Sequence, residues 1–133
     1  MRLWHEELLP YLPRQQLLGQ HRECCALRGK GWGRNHSVVN YVFTHPHEYL
    51  VAYHYRVMDE MKRRGYAPNL MWYKTNYRGT TLGTQDNWAD SNEVIKIVQR
   101  NTFVYPEHDH KYLQECLENL KNKNINIDFK AEM

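Results

Sequence analysis

The stretch "THPHEYLVAYHYRVMDEMKRRG", residues 44–65, admits little other than a helix. Leu50, His54, Val57 and Met61 recur at the spacing of one helical stripe. Pro46 suits a first turn and Glu48 the positive helix end, while Lys62, Arg63 and Arg64 complement the negative end before Gly65 stops the run. A long amphipathic helix needs neighbours to cover its stripe, so the remaining chain is read for what packs against it.

A second helical pattern precedes it in "RQQLLGQHRECC", which should start near Pro13 and fray at Gly29. At about 100° per residue, Leu17, Leu18, His21, Cys24, Cys25 and Arg28 share one arc, the expected inward face. Glu23 points away, on the side of Gln16, Gly19 and Gln20. A mid-helix glycine costs about 1 kcal/mol against alanine. Gly19, one turn before Glu23, is therefore either a tolerated glycine on a solvated face or a place that something approaches closely.

A third helix is expected from about Pro106, with Leu113, Cys116, Leu117 and Leu120 inward. "SNEVIKIVQR" fits a short helix capped by Ser91 or a strand, and "SVVNYVF" a short strand or an extended link. The expected fold is mostly α: a compact three-helix single domain over residues 1–133 with long irregular connections. It would carry an N-terminal arm at 1–12, anchored by Leu3, Trp4, Leu8 and Leu12, and a tail at 124–133.

Composition narrows the class. The net charge is only +3, from 18 Lys+Arg against 15 Asp+Glu, so a polyanion must be held by a local patch. The cysteines number 3, which implies no disulfide framework and favours a reducing compartment. No signal pattern and no spanning apolar run is present, so a cytoplasmic protein without membrane association is expected.

Basic and aromatic residues interleave twice, as Arg28, Lys30, Trp32 and Arg34, then as Trp72, Tyr73, Lys74, Tyr77 and Arg78. Cations on phosphates and rings that stack on exposed bases suit distorted nucleic acid. The plainer reading makes the rings plugs beneath loops and the cations ordinary surface. Two histidine pairs, His45/His47 and His108/His110, lack the ligand count of a metal site, and no metal is expected. A small metal protein built on those pairs stands as a distant alternative.

Taken together, the chain resembles the pyrimidine-dimer DNA glycosylase/AP lyase family of the phage endonuclease V type. The resemblance rests on Gln15, Leu17, Arg22 and Glu23 in the pattern Q-x-L-x-x-x-x-R-E, on "GRNH" through the long helix to "KRRGY", and more weakly on "YPEH". It implies a three-helix, cofactor-free enzyme that attacks C1′ of a damaged nucleotide with its α-amine, forms a Schiff base and cuts the strand by β-elimination. By this resemblance Met1 (α-amine) and Glu23 are catalytic, Arg22 and Arg2 contact DNA, and a nucleotide is flipped from the duplex. Arg28, Lys30, Arg34, Lys74 and Arg78 are further candidates for phosphates, and Trp32, Trp72 and Tyr73 for stacking. The expected partner is double-stranded damaged DNA, bound by a monomer that associates with the nucleoid.

Two departures stand out. Family members carry a small second residue and lose the initiator methionine, whereas Arg2 here should preserve Met1, whose amine becomes the nucleophile. Ala26 replaces an arginine one turn beyond the Arg-Glu pair, with Arg28 as its candidate substitute. An α-amine, with a pKa near 7.7–8.0 against about 10.4 for lysine, is the natural amine nucleophile at neutral pH. A non-catalytic binder of distorted DNA or structured RNA is the alternative function.

Overall fold

The computed structural model describes residues 2–34 and 39–129. Among them the chain forms α1 (Arg14–Arg28), α2 (His47–Arg63), α3 (Ser91–Gln99) and α4 (His110–Asn122), with 3-10 turns at Glu6–Tyr11, Asn40–Thr44 and Leu70–Tyr73. The domain is mostly helical, as expected, and among the described residues its β structure is an isolated antiparallel bridge between Tyr77 and Thr84.

The long helix is the centre of the molecule. α2 packs on α1, on α3 and on the first two 3-10 turns. It therefore buries Val51, Ala52, Tyr53 and Met58 as well as its expected stripe of Leu50, His54, Val57 and Met61. Its end is a Schellman motif: Gly65 sits at φ +85°, Tyr66 N–H donates to Met61 O at 2.8 Å and Gly65 N–H to Lys62 O at 2.9 Å.

Four details differ from the sequence reading. The ambiguous "SNEVIKIVQR" is helical because Asp90, rather than Ser91, accepts from Asn92 N–H at 2.8 Å and Glu93 N–H at 3.3 Å, and Val94 and Ile97 then face α2. α4 starts at His110, later than Pro106, because Asp109 is its cap and the preceding residues form a buried turn around Tyr105 and His108. Asn40–Thr44 is a 3-10 turn, neither a strand nor an extended link, while residues 37–38 of "SVVNYVF" and 35–36 of "GRNH" lie outside the described residues. In the segment read as a tail, Ile125, Ile127 and Phe129 are half-buried against the core, and 130–133 lie outside the described residues.

The connection from residue 66 to 90 is held by polar groups. Arg28 reaches it from α1, Asn76 accepts from Ala89 N–H at 2.8 Å, and the Thr75 hydroxyl lies 2.9 Å from the Ser91 hydroxyl. Gly31 is demanded by packing, because a Cβ there would sit 2.7 Å from Ala26 O.

Buried histidines make this fold sensitive to acid. Burial pushes the pKa of His108 down to about 3 and that of His54 well below its ordinary value of 6.5. Both are then neutral when folded but gain a proton when unfolded, so their contribution is present above pH 6.5 and is lost as pH falls. We expect these two to cost about 3 kcal/mol of stability between roughly pH 8 and pH 5.5. Urea unfolding at the two pH values measures this, and an unchanged midpoint would refute it.

Candidate active site

The N-terminal arm lies between α1 and α4, held by side chains in place of a ladder. Gln20 of α1 donates from Nε2 to Arg2 O at 3.1 Å and accepts from Trp4 N–H through Oε1 at 2.6 Å. The Tyr53 hydroxyl of α2 donates to Trp4 O at 2.6 Å. From α4 the Tyr112 hydroxyl donates to Leu3 O, and Cys116 Sγ accepts from His5 N–H at 3.4 Å. His108 Nδ1 accepts from Glu6 N–H at 3.1 Å. An extended segment threaded through a core must have its peptide groups paired. Here the partners come from three helices' worth of chain and fix the register of the arm: a one-residue slip breaks all these bonds together.

Gln20 was expected on the polar side and is instead buried, with Leu27. Counting about 100° per residue from Leu17, Gln20 lies near −60° and Leu27 near −80°, so the inward arc of α1 is rotated by about 70° from the one the sequence suggested. Leu18, His21 and Cys25, at the arc's other edge, are only half-buried. Leu27 was the available signal.

The rotation also changes the surroundings of Glu23. At about −120° it borders the buried arc and is half-buried rather than pointing fully to solvent. Its Oε2 is closed off from water and has no hydrogen-bond partner among the described residues. A buried carboxylate oxygen without a partner costs stability. Arg22 beside it is exposed, and at Gly19 a Cβ would meet just Arg22 Nη2, at 3.7 Å, among the described residues. Met1, the expected nucleophile, lies outside the described residues.

The basic candidates divide sharply. Arg22, Lys30, Arg34 and Lys74 are exposed, and Arg2 is half-buried with its guanidinium 5.8 Å from the Tyr112 ring centre. Arg28 corrects the sequence reading: it is 0% exposed. Its guanidinium donates to Trp72 O at 2.7 Å, Lys74 O at 2.7 Å and Tyr77 O at 3.0 Å, and burial pushes its pKa down to about 10. Arg78 likewise donates to Arg28 O at 2.7 Å and Gly29 O at 2.9 Å, and stacks on Trp88 at 4.8 Å. Both arginines clamp the loop to α1 and leave no fork for phosphate.

The aromatic candidates are partly loop plugs. Trp32 meets Phe43, His47 and Trp88 edge to face, and Tyr73 donates to Asp59 at 3.0 Å beneath Lys62. Trp72 packs on Tyr77 at 4.7 Å and Arg28 at 5.0 Å. With Tyr77 it also lines an open cavity of about 400 Å³ that starts at Cys25 and Ala26, roughly one turn beyond Arg22 and Glu23.

The histidine pairs are dispersed over separate partners. His45 binds Glu107 at 2.8 Å, His47 donates to Trp88 O at 2.6 Å, His108 holds the arm, and His110 is exposed. A different group, His21, Cys25 and His54, brings three possible ligand atoms within 4.8 Å of one another. Its hydrogen bonds argue against a metal there. Arg28 donates to His54 Nδ1 at 3.0 Å, which leaves the proton on Nε2, and that proton bridges to His21 Nδ1 at 2.8 Å. A metal on His54 Nε2 would have to displace it. Burial pushes the Cys25 thiol up to about 12, so it is no ready thiolate.

Against this geometry, a family model described as pyrimidine dimer DNA glycosylase matches residues 1–74, which include the arm, Gln20, Arg22, Glu23 and Tyr53. Neither the comparison with curated proteins nor that with solved structures gave a match.

Proposed function

The chain belongs to the pyrimidine dimer DNA glycosylase family, an enzyme family of DNA repair, and on that premise we propose that it excises damaged bases and cleaves the resulting abasic site through its N-terminal α-amine. The observation that carries this reading is the arm itself. A terminal amine is an unusual nucleophile, and it is useful only if the residues that follow it are held in register. Gln20, Tyr53, Tyr112 and Cys116 do that for Arg2 through His5.

In the proposed reaction the neutral amine of Met1 attacks C1′ of the damaged nucleotide. The C1′–N bond breaks, its electron pair leaving with the base, which takes up a proton. Opening of the C1′–O4′ bond gives the iminium, with O4′ protonated. Glu23 stabilises that cation and then removes a C2′ proton. The freed electron pair forms the new C=C bond, and the C3′–O bond breaks with its pair going to the 3′ phosphate. No cofactor enters. Glu23, with a buried oxygen that makes no other hydrogen bond among the described residues, suits both roles.

Double-stranded DNA would lie over the open side of α1. Arg22 and Arg2 would meet phosphates nearest the reacting sugar, and Lys30, Arg34 and Lys74 those beyond the C-terminal end of α1. The cavity beside Trp72 and Tyr77 is large enough for one extrahelical base and close enough to Glu23 for a neighbour of the lesion.

Borohydride trapping tests the proposal, using tag-free protein on two duplexes, one with an abasic site and one with a cyclobutane pyrimidine dimer. We expect a crosslink to the Met1 amine on both, identified by mass spectrometry of the linked peptide. A crosslink on the abasic duplex alone would narrow the activity to a lyase. No crosslink from protein with a free N-terminus would overturn the catalytic reading.

A further inference from the structure

A chain of hydrogen bonds runs from the core to the half-buried edge of α1. It begins at Arg28, whose guanidinium donates to His54 Nδ1 at 3.0 Å. An arginine can only donate, so His54 accepts there and carries its proton on Nε2, 2.8 Å from His21 Nδ1. Neutral His21 in turn accepts on Nδ1 and holds its own proton on Nε2. The Cys25 sulfur lies 3.9 Å from His21 Nδ1 and 3.8 Å from Nε2. A point nearly equidistant from both nitrogens lies on the flank of the ring, off the N–H axis, so Cys25 does not take that proton. His54 is 0% exposed, whereas His21 is half-buried. The part of the His21 ring that reaches the surface is therefore the side away from His54, which carries Nε2–H.

We propose that His21 donates from Nε2 to a phosphate oxygen of the DNA backbone, as a neutral contact between Arg22 and the cavity at Cys25. This rests on the reading that DNA lies over the open side of α1. Exposed Arg22 is the next residue, and Cys25, at the edge of the cavity, is one turn on, about 6 Å. An anion suits the position. Both imidazoles point their N–H bonds away from Arg28, so the chain is polarised with its positive end at the surface. Arg28 has no salt bridge to a carboxylate among the described residues. Glu23, two residues beyond His21, lies about 160° round the helix from it.

The donor also stays uncharged. A proton on His21 Nδ1 would face the Nε2–H of His54, which cannot give way while its Nδ1 accepts from Arg28. The charged and titratable groups around the chain are Arg22, Cys24 and Cys25 on α1 and Tyr55 on α2. The 66–90 connection meets it with the Trp72 ring and with carbonyls of residues 72, 74 and 77. Burial, with the charges of Arg22 and Arg28, pushes the pKa of His21 below its ordinary 6.5.

The test measures affinity for a duplex carrying a tetrahydrofuran abasic analogue, against salt, for the wild type, His21→Leu, His21→Gln and Arg22→Ala. His21→Leu should bind about tenfold more weakly with its salt slope unchanged, since a neutral donor displaces no counterion, whereas Arg22→Ala should lower the slope by about one. His21→Gln should recover most of the loss, because its amide accepts through oxygen and donates through nitrogen. Duplexes with single methylphosphonates then locate the contact. At one position the wild type should lose about tenfold in affinity and His21→Leu nothing further. Nitrogen NMR of the imidazoles should find His21 still neutral at pH 6. Wild-type affinity in His21→Leu, an undiminished loss in His21→Gln, equal losses for wild type and His21→Leu at every methylphosphonate, or an imidazolium at pH 6 would each overturn the proposal. If the wild type does not bind the analogue duplex at all, the reading beneath it falls instead, so the two failures are distinguishable.

Discussion

Replacing Glu23 with Gln should slow strand scission at an abasic site by about 10²–10⁴-fold, the usual range for a lost general base with charge stabilisation. Glutamine keeps the length and planarity of the side chain but neither offsets an iminium nor takes the C2′ proton. The two chemical steps should respond differently. Imine formation is driven by the amine and should persist in part, while β-elimination should stall. Borohydride would then trap a large fraction of the enzyme on DNA that remains uncut. Stability should move the other way or not at all, because Glu23 Oε2 makes no hydrogen bond among the described residues whose loss could be felt. Single-turnover cleavage on gels, trapped yield and melting temperature read the three quantities. Wild-type scission by Glu23→Gln would remove the carboxylate from the mechanism.

What could be read in the sequence was local. α2 announced itself because its stripe, its acidic first turn, its basic last turn and Gly65 all agree, and α2 forms over His47–Arg63. The spacing of the Gln-Leu-Arg-Glu motif also predicted one helix carrying Arg22 and Glu23, and α1 forms over Arg14–Arg28. The long-range polar contacts were not legible. Gln20 looked like solvated surface because its partners, Arg2, Trp4 and Tyr53, are 18, 16 and 33 residues away in the chain. Arg28 misled for the same reason: a cation in a basic-aromatic stretch reads as phosphate-binding, and nothing local shows that Trp72, Lys74 and Tyr77 turn their carbonyls toward it.

Arg28 yields the largest expected effect on stability. Substituting Met, which fills much of the same volume, removes the donors for Trp72 O, Lys74 O, Tyr77 O and His54 Nδ1. Each stranded acceptor costs about 1–3 kcal/mol, less wherever water can enter. The neighbouring cavity gives water a route to some of them, and neutralising an arginine that is 0% exposed and has no salt bridge to a carboxylate among the described residues recovers some desolvation energy. The net should be a loss of about 3 kcal/mol, or roughly 10 °C in melting temperature. Lysine should rescue little, because a single ammonium cannot span carbonyls contributed by residues 72, 74 and 77. A phosphate-binding arginine behaves in the opposite way. Arg22→Ala on the exposed side of α1 should leave melting nearly unchanged and reduce the salt dependence of duplex binding by about one unit of slope. Arg28→Met, measured below its lowered melting point, should leave that slope intact. If Arg28→Met melts like the wild type and flattens the salt dependence, Arg28 is a DNA contact after all and the clamp between α1 and the 72–77 segment is held by other groups.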